Sequence, residues 1–409
     1  MAKQDIAIIG AGQAGAALAV RLRQLGFLGG IALFGAEQAP PYQRPPLSKK
    51  YLAGEWEQER LWLRPTDFWR EQRISLHLGG AVSALDLTSR TLVCGEREHR
   101  WGKLALTTGA TPRPLPDTFV DRSNVFELRN LADVQRLRPA FLPGRKLLVL
   151  GGGYIGLETA AVATQAGLSV HVVERATRVL ERVACPHTSV AIRALHQRHG
   201  VSIHEGRTLR HVEGDANVTA VELDTGLRIA CDLVVVGVGV VPQTALAESA
   251  GLDCDDGILV DSFGRASVPD VWAAGDCARF RLNGELTRLE SVQNAIDQAE
   301  AVADDMLGQG RIYQPVPWFW SDQYDMKLQI VGLNRGYDAV VSHVSAKGAS
   351  HWYFREDRLI SVDALNDGRA YMVGKKLLEA GRVVSRSEVE RPNFEPMQLL
   401  RGQAEGTLT

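Results

Sequence analysis

Two glycine-rich turns are the residues of this sequence with the clearest chemical use. Residues 10–15 read Gly-Ala-Gly-Gln-Ala-Gly and residues 151–156 read Gly-Gly-Gly-Tyr-Ile-Gly, so both fit the pattern Gly-x-Gly-x-x-Gly. Between a strand and a helix such a turn binds a pyrophosphate, because the glycines let the backbone approach and the helix N-terminus offers N–H donors. An acidic residue that can accept hydrogen bonds from ribose hydroxyls follows each turn, Glu37 after the first and Glu174 after the second.

The hydrophobic pattern predicts the strand and the helix that each turn needs. In both places a short apolar strand precedes the turn, and a helix and a second strand follow it. The predicted ranges are 6–9, 14–25 and 31–34 around the first turn, and 146–150, 155–166 and 169–173 around the second. The turns begin 151 − 10 = 141 residues apart, which indicates a duplicated α/β architecture rather than a short-period repeat.

Other segments favour further strands and two domain boundaries. A proline-rich loop and short strands follow the first βαβ unit, and a glycine turn followed by prolines predicts a boundary near residue 112. Residues 232–244 are predicted to form a buried strand followed by glycine and proline, which would be the exit from the second unit. After Pro315 the sequence changes to alternating apolar strands, so residues 317–409 are predicted to form an α+β domain.

Composition excludes several classes of protein. The 409 residues suffice for two or three domains, and 46 basic against 48 acidic side chains (46 − 48 = −2) give no overall signal for nucleic acid or an anionic membrane. The five cysteines form no Cys-x-x-Cys pair, which favours a reduced, cytoplasmic chain without a metal or iron–sulfur site. We expect no signal peptide, because the first residues enter a strand at once, and no membrane-spanning helix.

Two dinucleotide turns in one chain predict two bound nucleotides. A chemically sensible pair is a flavin that stays bound and a nicotinamide that visits, with hydride transfer between their rings while the protein holds them together. The less specific explanation is a pair of glycine turns in an α/β fold without ligands.

Seven stretches carry a resemblance to a known family: PPLSK, LTTGATPRPLP, GGGYIGLE, RVLERV, GDCARF, ESVQNA and PWFWSDQY. On these, the chain resembles the FAD-dependent pyridine nucleotide reductases, and among them the ferredoxin reductases of the putidaredoxin reductase type. The resemblance implies an α/β fold of two Rossmann-like domains, as in glutathione reductase, with a C-terminal α+β domain. The predicted domains are residues 1–112 with 245–316 for FAD, residues 113–244 for NADH, and residues 317–409.

The resemblance also implies the positions that contact FAD. The first turn would hold the pyrophosphate, and Glu37 would bind the adenosine ribose. Relatives often read Gly-Asp after the second strand. This chain reads Gly35-Ala36 there, so Glu37 would make the ribose contact alone. Lys49 and Trp320 would lie beside the flavin ring, and they are predicted catalytic residues together with Glu158, which in the family reaches the lysine. The predicted FAD-binding residues are Gly10, Gly12, Ala14, Gly15, Glu37, Arg44, Pro45, Lys49, Val82, Thr108, Gly109, Arg129, Asp276, Ser291, Val292 and Trp320.

The second turn would bind NADH. Glu174 at a strand end favours NADH over NADPH, because its carboxylate repels a 2′-phosphate, although the neighbouring Arg175 is a residue that NADP enzymes use. Tyr154 and Ile155 would lie near the nicotinamide. The predicted NAD-binding residues are Gly151, Gly153, Tyr154, Ile155, Gly156, Glu158, Glu174, Gly237 and Gly239.

Several of these residues also have a purely structural explanation. Asp276 at a strand end could be only a cap, and Arg129 could pair with a surface carboxylate. Glu158 lies early in a helix, where the helix dipole alone favours an acid. Trp318, two residues before Trp320 and on the same strand face, is predicted to pack in the core.

The absence of cysteine from residues 40–61 bears on the electron acceptor. Relatives that reduce disulfides carry a redox cysteine in this loop, so here electrons would leave from the flavin edge to a separate protein. The resemblance implies a [2Fe–2S] ferredoxin that serves a cytochrome P450 or a ring-hydroxylating oxygenase. A rubredoxin reductase shares the motifs and remains an alternative; an apoptosis-inducing-factor-like protein that binds DNA is disfavoured by the near-neutral charge.

A transient acidic ferredoxin would require a basic docking surface. Scattered solubilising charge is the alternative explanation for each basic residue taken alone. The candidates are Arg64, Arg311, Lys327, Arg335, Lys375 and Lys376.

Overall fold

The structure, a computed structural model, describes residues 5–346 and 348–401. The chain divides into two compact units, the first formed by Met1–Arg113 with Val240–Pro315 and the second by Pro114–Gly239 with Val316–Thr409. Residues 1–4, 347 and 402–409, which the predicted domains include, lie outside the described residues. The three-domain boundaries stay a prediction.

The strands follow one another along the chain in four groups. Before residue 113 they are β1 Ile6–Ile9, β2 Ile31–Gly35, β3 Ile74–Leu78, β4 Val82–Asp86, β5 Thr91–Cys94, β6 Arg97–Arg100, β7 Lys103–Leu106 and β8 Ala110–Pro112. Before residue 240 they are β9 Val125–Glu127, β10 Lys146–Leu150, β11 Ser169–Glu174, β12 Ser202–Glu205, β13 Leu209–Glu213, β14 Ala220–Leu223, β15 Arg228–Ala230 and β16 Leu233–Val236.

The later strands complete both units. Before residue 315 they are β17 Val240–Pro242, β18 Ile258–Leu259, β19 Val271–Ala273, β20 Ala278–Leu282 and β21 Glu285–Thr287. The last group is β22 Trp318–Gln323, β23 Met326–Gly332, β24 Ala339–Val344, β25 Ala349–Arg355 and β26 Arg358–Leu365.

The helices are α1 Gln13–Gln24, α2 Thr66–Glu71, α3 Leu131–Leu137, α4 Tyr154–Gln165, α5 Pro186–Arg198, α6 Ala245–Ser249, α7 Val292–Met306, α8 Gly368–Glu379, α9 Arg386–Val389 and α10 Gln398–Arg401. A 3-10 helix covers Pro45–Ser48.

The first unit is built on a parallel sheet with the order β19-β7-β1-β2-β3. Its central strand β1 reads Ile-Ala-Ile-Ile and is buried along its whole length, as expected for a parallel strand covered on both faces. Helices α1 and α7 contribute to the apolar core on one side of this sheet. Because all five strands are parallel, the carboxyl ends of β1, β2, β7 and β19 meet at one edge.

The second unit repeats this plan with the parallel order β12-β11-β10-β16-β9. The same unit contains the antiparallel sheet β22-β23-β26-β25-β24, whose apolar core also includes side chains of helix α8. The predicted fold class, α/β with parallel sheets and an α+β segment at the end, is confirmed.

A buried carboxyl group joins helix α5 to this antiparallel sheet. Thr188 Oγ1 donates a hydrogen bond to Asp363 Oδ2 at 2.6 Å, and the hydroxyl of Tyr353 donates to the same oxygen. The Tyr353 hydroxyl in turn accepts from the N–H of Cys185 at 2.8 Å. Burial raises the pKa of Asp363 to about 7, although its two hydrogen-bond donors act in the opposite direction.

This carboxyl group predicts a pH-dependent contribution to stability. Asp363 keeps its proton in the folded state above the pH at which the unfolded chain loses it. Its contribution is therefore fully present below about pH 4, the ordinary range of an aspartate, and is lost as the pH rises through about 7. Relative to Asp363→Asn, the unfolding free energy of the wild type should fall by up to about 1.4 kcal/mol per pH unit across this window.

Chemical denaturation of both proteins between pH 5 and pH 8 measures this difference. Asp322→Asn, at an exposed position of β22, is the control and should follow the wild type. Parallel pH profiles for wild type and Asp363→Asn would contradict the expectation.

Candidate functional site

The first glycine turn connects β1 to α1. At two of its positions the surrounding backbone leaves no room for a side chain. A Cβ on Gly10 would lie 2.1 Å from the carbonyl oxygen of Thr107, and the φ of Gly10 is +118°. A Cβ on Gly15 would lie 2.0 Å from the carbonyl oxygen of Gly10. Such distances are far below van der Waals contact, so the chain passes from strand to helix this closely only with glycine at both positions.

The middle glycine of the turn has the opposite surroundings. Among the described residues, no heavy atom lies within 4 Å of a Cβ built on Gly12. Gly12 is also the N-cap of α1, and it brings no side chain to bond the first N–H groups of the helix. Open space before helix N–H donors fits a diphosphate, which those donors and the helix dipole would hold.

Glu37 lies just beyond the end of β2 in a small polar cluster. Its two carboxylate oxygens accept from the hydroxyl of Tyr42 and from Arg44 Nη2, each at 2.6 Å. Burial lowers the pKa of Arg44, but Tyr42, Glu37 and Asp276 together raise it further, so its guanidinium remains charged. The cluster thus holds a carboxylate and a cation at the carboxyl edge of the first sheet.

Further residues predicted to bind FAD lie at the same edge. Thr108 and Gly109 follow β7, and Asp276 follows β19 in a loop whose Gly275 approaches Ala14, since a Cβ on Gly275 would lie 3.1 Å from the Ala14 methyl group. Ser291 is the N-cap of α7 and accepts from the N–H of Asn294, and Val292 is the first residue of that helix.

The remaining predicted FAD contacts are more widely distributed. Pro45 begins the 3-10 helix, and the partly buried Lys49 donates to the Pro45 carbonyl at 3.4 Å. Val82 begins β4. Arg129 and Trp320 belong to the second unit.

The second turn has the geometry of the first. A Cβ on Gly151 would lie 2.4 Å from the Gly237 carbonyl oxygen, and one on Gly156 would lie 2.1 Å from the Gly151 carbonyl oxygen. Within the described part of the chain, nothing lies within 4 Å of a Cβ on Gly153, the N-cap of α4. A second diphosphate would therefore fit before α4, with Gly237 against the turn and Gly239, at φ +101°, two residues further on.

Glu174, the last residue of β11, is held in place by the backbone. Its carboxylate accepts from the N–H of Gly152 and from the N–H of Ala176, both at 2.6 Å. A carboxylate can accept about four hydrogen bonds, so it keeps capacity for ribose hydroxyls. On the neighbouring strand Glu205 is in register with Glu174, but it is paired with Arg193 at 2.8 Å.

Besides Gly156, three predicted residues lie in the first two turns of α4. The ring of Tyr154 packs against Phe319 with 4.5 Å between centroids, whereas Ile155 is 42% exposed. Glu158 is buried and accepts from Ser321 Oγ at 2.6 Å. Of the pair predicted near the nicotinamide, Ile155 is thus the more accessible to a ligand.

None of the five cysteines forms a disulfide bond in this structure. All five are free thiols, and burial raises the pKa of Cys231 and Cys254 to about 11 and that of Cys277 above its usual range. Across residues 5–346 and 348–401, no cluster of three or more potential metal ligands occurs. The described helices are each too short or too polar to cross a membrane.

Comparison with known proteins settles the family. Residues 4–299 match the pyridine nucleotide-disulphide oxidoreductases and residues 318–400 match the C-terminal domain of reductases. The chain belongs to the pyridine nucleotide-disulphide oxidoreductase family. The protein is accordingly an FAD-dependent oxidoreductase that uses a pyridine nucleotide.

Individual relatives of this oxidoreductase are similar over nearly their whole length. A ferredoxin–NAD(P)(+) reductase of a Sphingomonas species is 43% identical over 93% of this chain and 94% of that relative. Putidaredoxin reductase in its covalent complex with putidaredoxin matches with a TM-score of 0.95 at 35% identity, over 98% of this chain and 99% of that one. The ferredoxin reductase for the CYP199A2 system of Rhodopseudomonas palustris gives a TM-score of 0.93 at 38% identity, over 97% and 99%. The predicted membership of the ferredoxin reductase branch is thereby confirmed.

The sequence did not reveal several polar residues that support the two candidate sites of this oxidoreductase. Thr107 Oγ1 donates to the Gly10 carbonyl at 2.8 Å and so fixes the first turn, and Gln298 accepts from the N–H of Gly275 at 2.9 Å. Thr107 adjoins the predicted Thr108 and Gly109, so its position after a buried strand was the available signal. Ser321, which donates to Glu158, adjoins the predicted Trp320, but no spacing in the sequence indicates that it contacts Glu158.

The two open glycines predict separable defects. In Gly12→Ala the new methyl group occupies space intended for the first diphosphate without meeting protein atoms, so the protein should fold but retain much less FAD after purification. In Gly153→Ala the dissociation constant for NADH should rise about tenfold or more, equivalent to about 1.4 kcal/mol, while FAD content stays normal.

Absorbance of bound flavin and NADH titration of the two variants measure these effects. Each variant is the control for the other. Loss of FAD from Gly153→Ala, or weakened NADH binding alone in Gly12→Ala, would reverse the assignment of the two turns.

Proposed function

We propose that this protein is an NADH-dependent ferredoxin reductase, which passes electrons from NADH through FAD to a [2Fe–2S] ferredoxin serving a cytochrome P450 or a ring-hydroxylating oxygenase. The observation that carries the proposal is the combination of two intact dinucleotide turns with a loop, residues 40–61, that contains no cysteine. A route through a thiol relay at that loop is excluded by its composition.

The first unit provides the groups that would bind and orient FAD. When bound, FAD accepts a hydride from a nicotinamide and releases the electrons one at a time. The N-terminus of α1 would hold its diphosphate, and Glu37, kept in place by Tyr42 and Arg44, would accept from the adenosine ribose. Asp276 would accept from ribityl hydroxyls, and the Lys49 ammonium would favour negative charge near the ring.

The second unit provides the groups that would bind NADH. The N-terminus of α4 would hold the diphosphate and Glu174 the ribose. Because both Glu174 oxygens are anchored to backbone N–H groups, the carboxylate cannot turn away from a 2′-phosphate, and repulsion would disfavour NADPH. Arg175 is exposed beside it and would offset part of that repulsion.

The relatives support a ferredoxin as the acceptor, since one is a ferredoxin reductase and another forms a complex with putidaredoxin. An acidic ferredoxin would be attracted by basic side chains near the site of electron exit. Four proposed docking residues, Lys327, Arg335, Lys375 and Lys376, belong to the second unit, and Arg64 and Arg311 belong to the first. Lys375 lies 4.8 Å from the ring centre of Trp318, whose own ring is 5.6 Å from that of Trp320.

Anaerobic stopped-flow measurement tests the proposal. The purified protein is reduced with NADH and mixed with a [2Fe–2S] ferredoxin or, in a second arm, with a rubredoxin. We expect rapid reoxidation by the ferredoxin that slows as salt is raised, because steering between charged partners is screened. Faster transfer to rubredoxin would favour the rubredoxin reductase alternative, and failure of NADH to reduce the bound flavin would refute both.

Glu174→Ala should change the choice of nicotinamide. Removal of the carboxylate takes away ribose hydrogen bonds and the repulsion of a 2′-phosphate, so kcat/KM for NADH should fall about tenfold, equivalent to about 1.4 kcal/mol, while that for NADPH rises. Steady-state kinetics with both nucleotides measure the ratio, and Glu222→Ala on β14 is a control of equal charge change. An unchanged NADH/NADPH ratio would exclude Glu174 as the residue that selects the nucleotide.

A further inference from the structure

Glu158 belongs to a series of four buried polar side chains in the second unit, linked by hydrogen bonds. Ser321 Oγ donates to Glu158 Oε1 at 2.6 Å, and Gln323 Nε2 donates to Ser321 Oγ at 3.1 Å. Gln323 Oε1 is 2.8 Å from His196 Nε2. All four side chains belong to residues that are no more than 2% exposed.

Three elements that are distant in sequence bring these side chains together. Glu158 is on α4, His196 is on α5, and Ser321 and Gln323 are on β22. Because side chains alternate along a strand, Ser321 and Gln323 share one face of β22 with Phe319, which contacts Tyr154 of α4. Trp318 and Trp320 are on the other face.

These hydrogen bonds have a single favourable direction, in which each group donates toward Glu158. Burial lowers the pKa of His196, although Gln323 acts in the opposite direction, so the ring is neutral at neutral pH and carries one proton. Its Nδ1 is buried and has no hydrogen-bond partner in the described part of the protein, so a proton at Nδ1 would be left unsatisfied. The proton therefore belongs on Nε2, where Gln323 Oε1 accepts it.

This direction determines the orientation of each following group. Gln323 can then offer only its amide N–H to Ser321. Since Ser321 Oγ accepts from that amide, its own proton is available for Glu158 Oε1. In this arrangement every donor points toward Glu158, whereas the reversed order of hydrogen bonds would place a proton on the unpartnered Nδ1 of His196.

We propose that His196 and Gln323 are positioning residues, which orient the Ser321 hydroxyl toward Glu158 and so keep that carboxyl group fixed beside the bound nicotinamide. The inference rests on the proposed function, because it takes α4 as the nicotinamide-binding helix. Neither residue needs to touch NADH or FAD. Their effect is on the rate of hydride transfer rather than on the affinity for NADH.

Variants of matched shape test this series of hydrogen bonds through the reductive half-reaction, which is the reduction of bound flavin by NADH. Ser321→Ala should slow flavin reduction at saturating NADH about tenfold and His196→Met about threefold or more, with the dissociation constant for NAD⁺ within twofold of wild type. His196→Gln retains an N–H donor at a similar reach, and it should recover most of the rate. Ser361→Ala is the matched control, since Ser361 is a buried serine that donates at 2.8 Å to the backbone carbonyl of Val331 in the same sheet.

A second measurement does not depend on turnover. ¹⁵N NMR of selectively labelled protein should show His196 neutral with its proton on Nε2 between pH 7 and pH 8. In Gln323→Met, which removes the acceptor, the ring should shift toward a mixture of tautomers. A wild-type His196 protonated at Nδ1 would overturn the direction of these hydrogen bonds.

The half-reaction needs no ferredoxin, so the two proposals can fail separately. If NADH does not reduce wild-type flavin, the proposed function fails. If NADH reduces it but Ser321→Ala and His196→Met match the wild-type rate, or are impaired only as much as Ser361→Ala, the positioning role fails. Weakened NAD⁺ binding with an unchanged rate of hydride transfer would also contradict it.

Discussion

Both candidate sites depend on how closely the backbone of each glycine turn, between a strand and the following helix, approaches a neighbouring strand end. At Gly10 and Gly151 the backbone passes so near the carbonyl oxygens of Thr107 and Gly237 that no Cβ fits. As a result, α1 and α4 each begin at the carboxyl edge of a parallel sheet. The first N–H groups of these helices face open space at Gly12 and Gly153. The sheets, their order and the packing of the helices all serve to hold these two helix ends in place.

Polar residues from neighbouring strands then complete each site, because parallel strands bring their carboxyl ends to the same edge. In the first unit this edge gathers Glu37, Thr108, Gly109 and Asp276 from widely separated parts of the chain. In the second unit Glu174 is fixed by two backbone N–H groups, one of them from the glycine turn itself. In the proposed NADH site, the same turn would provide the space for the diphosphate and would orient the carboxylate for the ribose.

The sequence was sufficient for the parts of the fold that local chemistry dictates. Helices predicted over residues 14–25 and 155–166 occur at Gln13–Gln24 and Tyr154–Gln165, because a glycine turn marks a helix start within one residue. The buried strand predicted within residues 232–244 is β16, and a second short strand, β17, follows the glycines and pairs with β8 in another sheet. The roles assigned to individual residues at the two sites stay predictions, because they depend on the bound nucleotides.

The partners of Glu158 show why one sequence cannot reveal a site completely. Ser321 lies 163 positions from Glu158 in the chain, and no spacing rule connects a serine on an antiparallel strand to an acid on a distant helix. Burying a carboxyl group is costly unless donors satisfy it, and Ser321 of the packed strand β22 is one such donor. Strand β22 provides this donor from one face, and its opposite face carries Trp318 and Trp320. The C-terminal segment thus contributes directly to the chemistry expected at α4, since its Ser321 donates a hydrogen bond to the buried Glu158 of this helix.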